Sequence, residues 1–585
     1  MHNGRWRHWG PLAIVLFVAF VLRMWGIKQG LPYVYNVDEY GHFVPEAVAM
    51  FHHGLNPHYF INPPALTYLL HVIFAIWLGG RVGVTREFAL HPDHLFLIAR
   101  ITVALLGTIS VWLLYLVGAR LFSRTVGLLA SAVMAVAFLP VFYGHLALND
   151  VPTLAPLTLS LLGTAGILRR GRLLDYLVAG IGLGLAAATK YTAGVMVLPL
   201  LAAAVVRYLD GRPSAEGRSS VDETTTHDGE RPGARREVAL GVGIALIGAL
   251  GAFLIANPFS LLDFHSFHSE LERQSSYTEM SHASWTGAPS QGSFVYYLWS
   301  FTWGLGWIPA LAALGGAVTV WRKQLRLGWL LVPVAVLYLA FLSLQGRYFG
   351  RWLLPIFPVA CLLAAYFSLD LAAWATRRTP RLRPTFTALT LLAVSAQGLI
   401  YSIHSGLLLS RADTRNLARA WVVAHIPPGA RIVVEPVVPN AWLNNTGGLG
   451  AKNVRWVKYP TLRLVLNPSD GVPEPPHQTV LLENYERTLG PALIGYYEQH
   501  GYCWVISGFT QSGRAFTDPK AIPDAIAYYR ALAQQAKVVY QASPYAPGQG
   551  PVPFSFDWTF DYYPLAYDRP GPTMTVYRLN GGSCA

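Results

Sequence analysis

From residue 11 to residue 404 long apolar runs alternate with short polar breaks, and beyond that point the pattern changes character. Runs of about 18 apolar residues or more can cross about 30 Å of hydrocarbon as helices, which satisfy their own backbone groups. They predict about eleven spans, near residues 11–27, 100–119, 126–144, 151–168, 174–189, 191–206, 238–256, 294–320, 327–344, 352–371 and 385–404. After residue 404 no such run occurs. The stretch DTRNLARAWVVAHIPPGARIVVEP, from Asp413, reads instead as an amphipathic helix, a Pro-Gly turn and a β-branched strand. LIGYYEQHGYCWVISG and AIAYYRALAQQAKVVYQAS repeat helix followed by strand. The expected architecture is a polytopic α-helical membrane domain, residues 1–404, followed by a small α/β domain, residues 405–585.

Charge placement sets the expected orientation. With the N-terminus inside, the inner ends carry Arg5, Arg7, Arg124, Arg169, Arg170, Arg172, Arg322, Lys323, Arg326, Arg377, Arg378, Arg381 and Arg383, and the outer loops carry fewer. An odd number of spans then delivers the C-terminal domain to the extracytoplasmic side of a cell membrane. The N-terminal MHNGRWRHWG and the apolar run after it lack a small-residue cleavage site and are interrupted by Arg23, so they read as an uncleaved first span. The first outer loop, residues 28–99, is long and rich in His, Pro and aromatic residues, whereas residues 207–237 read as a disordered cytoplasmic loop.

Composition narrows the function classes. The chain is 53% hydrophobic and 13% charged, too apolar for an ordinary soluble protein. Its net charge of +13 lies at the ends of apolar runs rather than on one patch, which argues against a nucleic-acid partner. Three cysteines are too few for a disulfide framework, and only Cys503 and Cys584 can meet outside the membrane.

The sharpest chemical feature is Asp38-Glu39 in YNVDEYGHFVPEA, just after the first span. Such a pair receives a proton, binds a cation, or merely caps a surface helix running through Ala47. Asp150 in FYGHLALNDVPTL stands where the third span meets the fourth, and Asn149-Asp150 also makes a serviceable helix start. Spans one and three end on the same face, so the acids can converge, and carboxylates at a membrane boundary tend to mark function.

The Asp-Glu pair, the LNPHYFINPPALTYLL stretch and HLALND, in that order, resemble the superfamily of dolichyl-phosphate-mannose protein O-mannosyltransferases and aminoarabinose lipid A transferases, which share the GT-C glycosyltransferase fold. The resemblance covers most of residues 1–404. It implies transfer of a sugar, with inversion, from a polyprenyl-phosphate-linked donor to a hydroxyl-bearing protein, lipid or glycan acceptor. Asp38 is then the general base, within a candidate catalytic set of Asp38, Glu39 and Asp150. No sugar nucleotide is needed, and no Gly-rich phosphate loop stands at a strand-to-helix junction.

A departing phosphate needs cationic partners. Lys190 in AAATKYTAG and Arg347 and Arg351 in QGRYFGRWLLP are the candidates, against the plainer reading of a snorkelling lysine and interfacial arginines. His58, Tyr348 and His282 are the candidate substrate contacts, with Glu279 and Trp285 beside His282 in an outer loop. His42, His53, His58, His265 and His268 fit no zinc spacing, so neither metal nor other cofactor is expected. The rival reading is a secondary transporter using Asp38, Asp150 and Lys190 as a cation or substrate site. Transporters place such groups near the midplane of paired repeats, whereas these charges gather at one face and no internal repeat is visible. A membrane-anchored assembly protein leaves the convergent acids unexplained.

Overall fold

The computed structural model describes residues 3–211, 232–279, 285, 287–289, 291–445, 453–464 and 478–585. Among them, six helical segments are long and apolar enough to cross a membrane: Pro92–Leu121, Tyr191–Asp210, Arg235–Ala256, Leu325–Ser343, Gly350–Ala375 and one within Pro380–His425. Three sharply bent helix pairs raise the count to nine if each is one span, and Trp9–Met24, Leu154–Arg169 and Leu173–Thr189 are shorter apolar helices. The protein is a multi-pass membrane protein.

The bends are where the structure departs from the apolar pattern, and each has a local cause. The run 294–320 is two helices, Ser293–Gly304 and Trp307–Lys323, bent by 113° around Gly306, whose φ of +117° suits glycine alone. Arg124–Val136 turns by 61° into Phe138–His145. Pro140 has no N–H for the Val136 carbonyl, and Ser402 Oγ donates to that carbonyl instead at 2.9 Å.

The first outer loop is not a loop without structure. It holds Val37–Gly41, Val44–His53, Ala65–Leu78 and Arg81–Leu90, and helix Pro92–Leu121 begins inside it. Ala65–Leu78 and Arg81–Leu90 form a bent apolar pair of 95°. Helices Val197–Asp210 and Pro232–Ala256 likewise enter both ends of the segment expected to be disordered, whose residues 212–231 lie outside the described residues.

The C-terminal region contains strands β1 (Arg431–Val434), β2 (Val457–Lys458), β3 (Arg463–Leu464), β4 (Gln478–Thr479), β5 (Trp504–Gly508), β6 (Ala536–Ala542) and β7 (Met574–Leu579). Five form one sheet in the order β2-β1-β5-β7-β6, parallel from β2 to β5, with β7 antiparallel to both β5 and β6. Strands β3 and β4 pair separately. Helices Thr414–His425, Ala492–Gln499 and Pro523–Gln535 precede strands as the sequence pattern predicts. Asp413 caps the first of them, accepting from the Arg415 N–H at 2.8 Å. A disulfide joins Cys503, at the foot of β5, to Cys584, while Cys361 is free and buried.

The two regions are tied together just after the first span. Arg415 stacks 3.6 Å from the Tyr35 ring centroid, Arg419 lies 5.1 Å from that of Tyr33, and Asn416 donates to the carbonyls of Gly30 and Leu31.

Candidate active site

Neither acid of the sequence motif is a helix cap. Asn36 caps the short helix Val37–Gly41, its side chain accepting from the Glu39 N–H at 3.0 Å. Phe43, at φ +52°, breaks the chain before Val44–His53, so no single helix runs from Asp38 through Ala47. Asn149 and Asp150 precede a helix that starts only at Leu154.

Adjacent residues on a helical turn point apart, and that separates the motif into two jobs. Glu39 faces inward with no exposed surface. Arg100 grips it along one edge of its guanidinium, through Nε and one terminal nitrogen at 2.7 and 2.9 Å, and the Ala147 N–H donates to it at 2.8 Å. The same Arg100 donates to the carbonyls of Ile27 and Gln29. Glu39 therefore rivets the loop to helix Pro92–Leu121 and to the segment just before Asp150. Three of its roughly four acceptor positions are taken in this way, and none of its surface is exposed.

Asp38 faces the other way and is 45% exposed. Arg351, on the first turn of Gly350–Ile356, donates to Asp38 Oδ2 at 2.6 Å, and its Nε lies 3.8 Å from Asp150 Oδ2. Asp150 in turn accepts from Lys190 Nζ. Asn149 donates to the Thr189 carbonyl at 2.8 Å, so two neighbouring contacts hold Asn149-Asp150 against Thr189-Lys190. The result is a row of alternating charges, Asp38, Arg351, Asp150 and Lys190, drawn from four separate parts of the chain. Asp38 is its exposed end.

Arg347 does not join this row. Its guanidinium lies over Trp285, 4.6 Å from the ring centroid, and 5.8 Å from that of Phe349, while Arg351 covers Phe349 at 4.5 Å. Tyr348, expected as a substrate contact, is buried and donates to the carbonyls of Pro289 and Gln291 at 3.0 and 3.1 Å, anchoring an outer loop. His58 is exposed at φ +48°, its N–H bonded to Asn56, which holds Asp263 at 2.8 Å. The neighbouring Tyr59 is the one that stacks on His42, 4.5 Å between centroids, beside Glu46. His282 lies outside the described residues.

Sequence reasoning missed Arg100 and the His42–Tyr59 pair. A lone arginine at the head of an apolar run was the available signal for Arg100. Nothing local marks the contacts of Tyr143, whose ring lies 6.0 Å from the Arg351 guanidinium. Among the described residues no three His, Cys, Asp or Glu side chains gather as a metal site.

Residues 88–214 match the family model of dolichyl-phosphate-mannose-protein mannosyltransferase, a stretch that includes Arg100, Asp150 and Lys190. The structure is similar to the Archaeoglobus fulgidus oligosaccharyltransferase in the apo form, with a TM-score of 0.54 and 13% identity over 95% of this chain and 76% of that one. The same archaeal protein in complex with an inhibitory peptide and a dolichol-phosphate gives a TM-score of 0.49 and 12% identity, over 95% and 75%. ArnT from Cupriavidus metallidurans bound to undecaprenyl phosphate gives a TM-score of 0.45 and 15% identity, over 73% and 83%. No curated protein matches the chain in sequence. The chain thus shares the fold of the archaeal oligosaccharyltransferase, and within it residues 88–214 are similar to the dolichyl-phosphate-mannose-protein mannosyltransferases.

Proposed function

We propose that the protein transfers a sugar from a polyprenyl-phosphate-linked donor to a hydroxyl acceptor at the outer membrane face, with inversion at the anomeric carbon. The observation that carries this reading is Arg351, held between the half-exposed Asp38 and the buried Asp150, with Lys190 behind. A guanidinium paired with an exposed carboxylate is available to a better anion. A phosphodiester can take the Arg351 fork from Asp38, and Lys190 adds a second positive charge close by.

Releasing Asp38 in this way gives it the role of base. The acceptor oxygen forms a bond to the anomeric carbon from the face opposite the phosphate, and its proton passes to Asp38. The carbon–oxygen bond to phosphate breaks with its electron pair, which leaves as polyprenyl phosphate. Arg351 and Lys190 stabilise the charge on that leaving group. Glu39 and Arg100 act at one remove, fixing the turn that presents Asp38. Arg347 and Trp285 line the approach, and Tyr348 anchors that lining.

The orientation rests on two independent features. The basic inner ends argue for an extracytoplasmic C-terminal domain. The Cys503–Cys584 disulfide fits an oxidising compartment. The direct test incubates detergent-purified protein with radiolabelled dolichyl-phosphate sugars and membrane extract as acceptor source, and follows label leaving the lipid. Labelling of cysteines placed at positions 460 and 220 tests the orientation separately: position 460 is expected to react in intact cells and position 220 only after permeabilisation. Failure of all lipid-linked donors refutes the activity; reversed labelling refutes the sidedness.

A further inference from the structure

The face opposite Asp38 and Arg351 carries a polar cavity of its own. Helices Arg124–Val136 and Arg383–Leu409 begin there and Phe357–Ala375 ends there. A helix rises about 1.5 Å per residue, so Asp370 lies about 20 Å along its helix from Phe357, which itself follows the turn holding Arg351. Between the three helix ends is a cavity of about 440 Å³, whose polar lining is Ser123, Thr125, Tyr366, Asp370 and Arg383. Small-molecule sites occupy about 300 to 1,000 Å³, so there is room for a ligand.

Charge around this cavity is unbalanced. Asp370 is the only acid among the described lining residues. Lys323, the last residue of Trp307–Lys323, donates to both of its oxygens, at 2.6 and 2.8 Å, so that carboxylate is already answered. Arg383 is exposed and, among the described residues, makes no hydrogen bond or ion pair. Arg124, between the lining residues Ser123 and Thr125, is equally without an acid partner among them. Arg377, Arg378 and Arg381 follow on the connection between the other two helices, and the sequence places no Asp or Glu from 371 to 412 or from 94 to 149 to offset them. The hydroxyls are donors in waiting. Those of Tyr366 and Ser123 accept, from Gln324 at 3.0 Å and from the Val126 N–H at 3.2 Å, and each keeps its own proton to give.

An unpaired guanidinium, hydroxyl donors and a cavity suit a phosphodiester, whether free or carried on a lipid. The surroundings decide between the two. Leu371 and Trp374, on the helix of Asp370, and Leu382 and Phe386, on either side of Arg383, are all exposed. A soluble phosphate uses the cations and leaves this apolar rim bare. A phospholipid uses both, with its headgroup in the cavity and its chains along the rim.

We infer that the cavity binds the headgroup of an anionic glycerophospholipid, with Arg383 as its cation. Binding here requires only that these helices cross a membrane. Under the proposed orientation the face is cytoplasmic.

The test is equilibrium binding to the delipidated full-length protein in neutral detergent, read by native mass spectrometry. The probes are phosphatidylglycerol, phosphatidylcholine with the same chains, and glycerol 3-phosphate. Phosphatidylglycerol is expected to bind about tenfold more tightly than phosphatidylcholine, and glycerol 3-phosphate to compete only weakly. Arg383→Gln, a change at an exposed side chain, is expected to weaken phosphatidylglycerol about fivefold, the worth of one cation at a membrane surface. Arg322→Gln removes an exposed arginine at the end of Trp307–Lys323 that does not line the cavity, and its binding is expected to stay within about twofold of wild type. Equal binding of the two phospholipids, or equal loss in both variants, means diffuse surface charge only and overturns the inference. Glycerol 3-phosphate binding as tightly as phosphatidylglycerol makes the occupant a soluble phosphate and overturns the lipid. A parallel fall in donor affinity in Arg383→Gln assigns the arginine to the carrier lipid and overturns the phospholipid. None of these readouts requires sugar transfer, so failure of the proposed function leaves their outcome standing.

Discussion

Asp38→Asn separates the proposed base from its partner, because the two properties it changes are expected to move in opposite directions. The amide keeps the shape of the side chain but cannot accept the acceptor's proton, and loss of a general base costs about 10² to 10⁴ in rate. The same substitution removes the ion pair that occupies Arg351 in the absence of donor. That pair is 2.6 Å long, but Asp38 is 45% exposed, so after solvent screening it holds Arg351 by only about 0.5 to 1 kcal/mol. Freed of it, Arg351 still has Asp150 at 3.8 Å to orient it. Donor affinity should therefore improve by about two- to fivefold. The assay is turnover of labelled dolichyl-phosphate sugar beside equilibrium binding of the same lipid, in one detergent. Turnover within threefold of wild type makes Asp38 a spectator. Weakened donor binding means that Asp38 organises Arg351 instead of competing for it, and the reasoning fails at that step.

Three further outcomes follow from other contacts. Arg351→Ala should weaken donor binding by about one to two decades, the worth of a charge-assisted hydrogen bond of about 1.5 to 3 kcal/mol, and Lys should restore only part of it because an ammonium lacks the planar fork; full rescue by Lys counts against the assignment. Glu39→Gln leaves Arg100 buried without its counter-charge, so thermal unfolding in detergent should show a loss of about 3 to 5 kcal/mol while Asp38→Asn melts like wild type; equal melting of both variants refutes the rivet. Burial pushes Glu435 and Glu486, in the C-terminal domain, up to about 7, so the folded state binds their protons more tightly than the unfolded chain does. Their contribution is complete below the ordinary carboxylate range and is lost as pH rises through about 7, so unfolding measured by fluorescence should come earlier at pH 8 than at pH 5, and Glu435→Gln should reduce that slope.

Much of the fold was legible because hydrocarbon and water impose different patterns. Every stretch expected as a span contains helix, and the three helix-then-strand repeats after Asp413 stand where the periodicity puts them. The misses have physical causes of two kinds. At 294–320 and 126–144 the run is apolar throughout, but one glycine at positive φ and one proline without an N–H break the helix ladder, and hydropathy does not register either. In the first outer loop the error was the reverse. Apolar residues spread among prolines and histidines read as loop, yet Pro63 and Pro64 lead into helix Ala65–Leu78, since a proline near a helix start forfeits no hydrogen bond.

The candidate site was legible to the extent that chemistry is written in neighbouring residues, and no further. Asp38, Asp150, Lys190 and Arg351 could each be singled out as charges at the end of an apolar run, and the matching faces of spans one and three argue that the first two meet. Which way a side chain points is decided by its contacts across the fold. Asp38 and Glu39 look equivalent in sequence, but Arg100 lies 61 positions away and holds only Glu39. That contact removes Glu39 from the reaction side and, because both acids share one short turn, fixes the face that Asp38 presents. The same logic applies to the two arginines. Arg347 and Arg351 stand four residues apart, yet Trp285 holds one and the two acids hold the other. The motif is thus a pair of unlike halves, one buried and fixed in place and one exposed, and under the proposed function the exposed half is the one that reacts. An Asp38→Glu, Glu39→Asp double variant keeps the composition and net charge of the motif, but it shortens the buried arm by a methylene and lengthens the exposed one. If position is what the buried half supplies, this variant should lose both thermal stability and turnover even though every charge is still present.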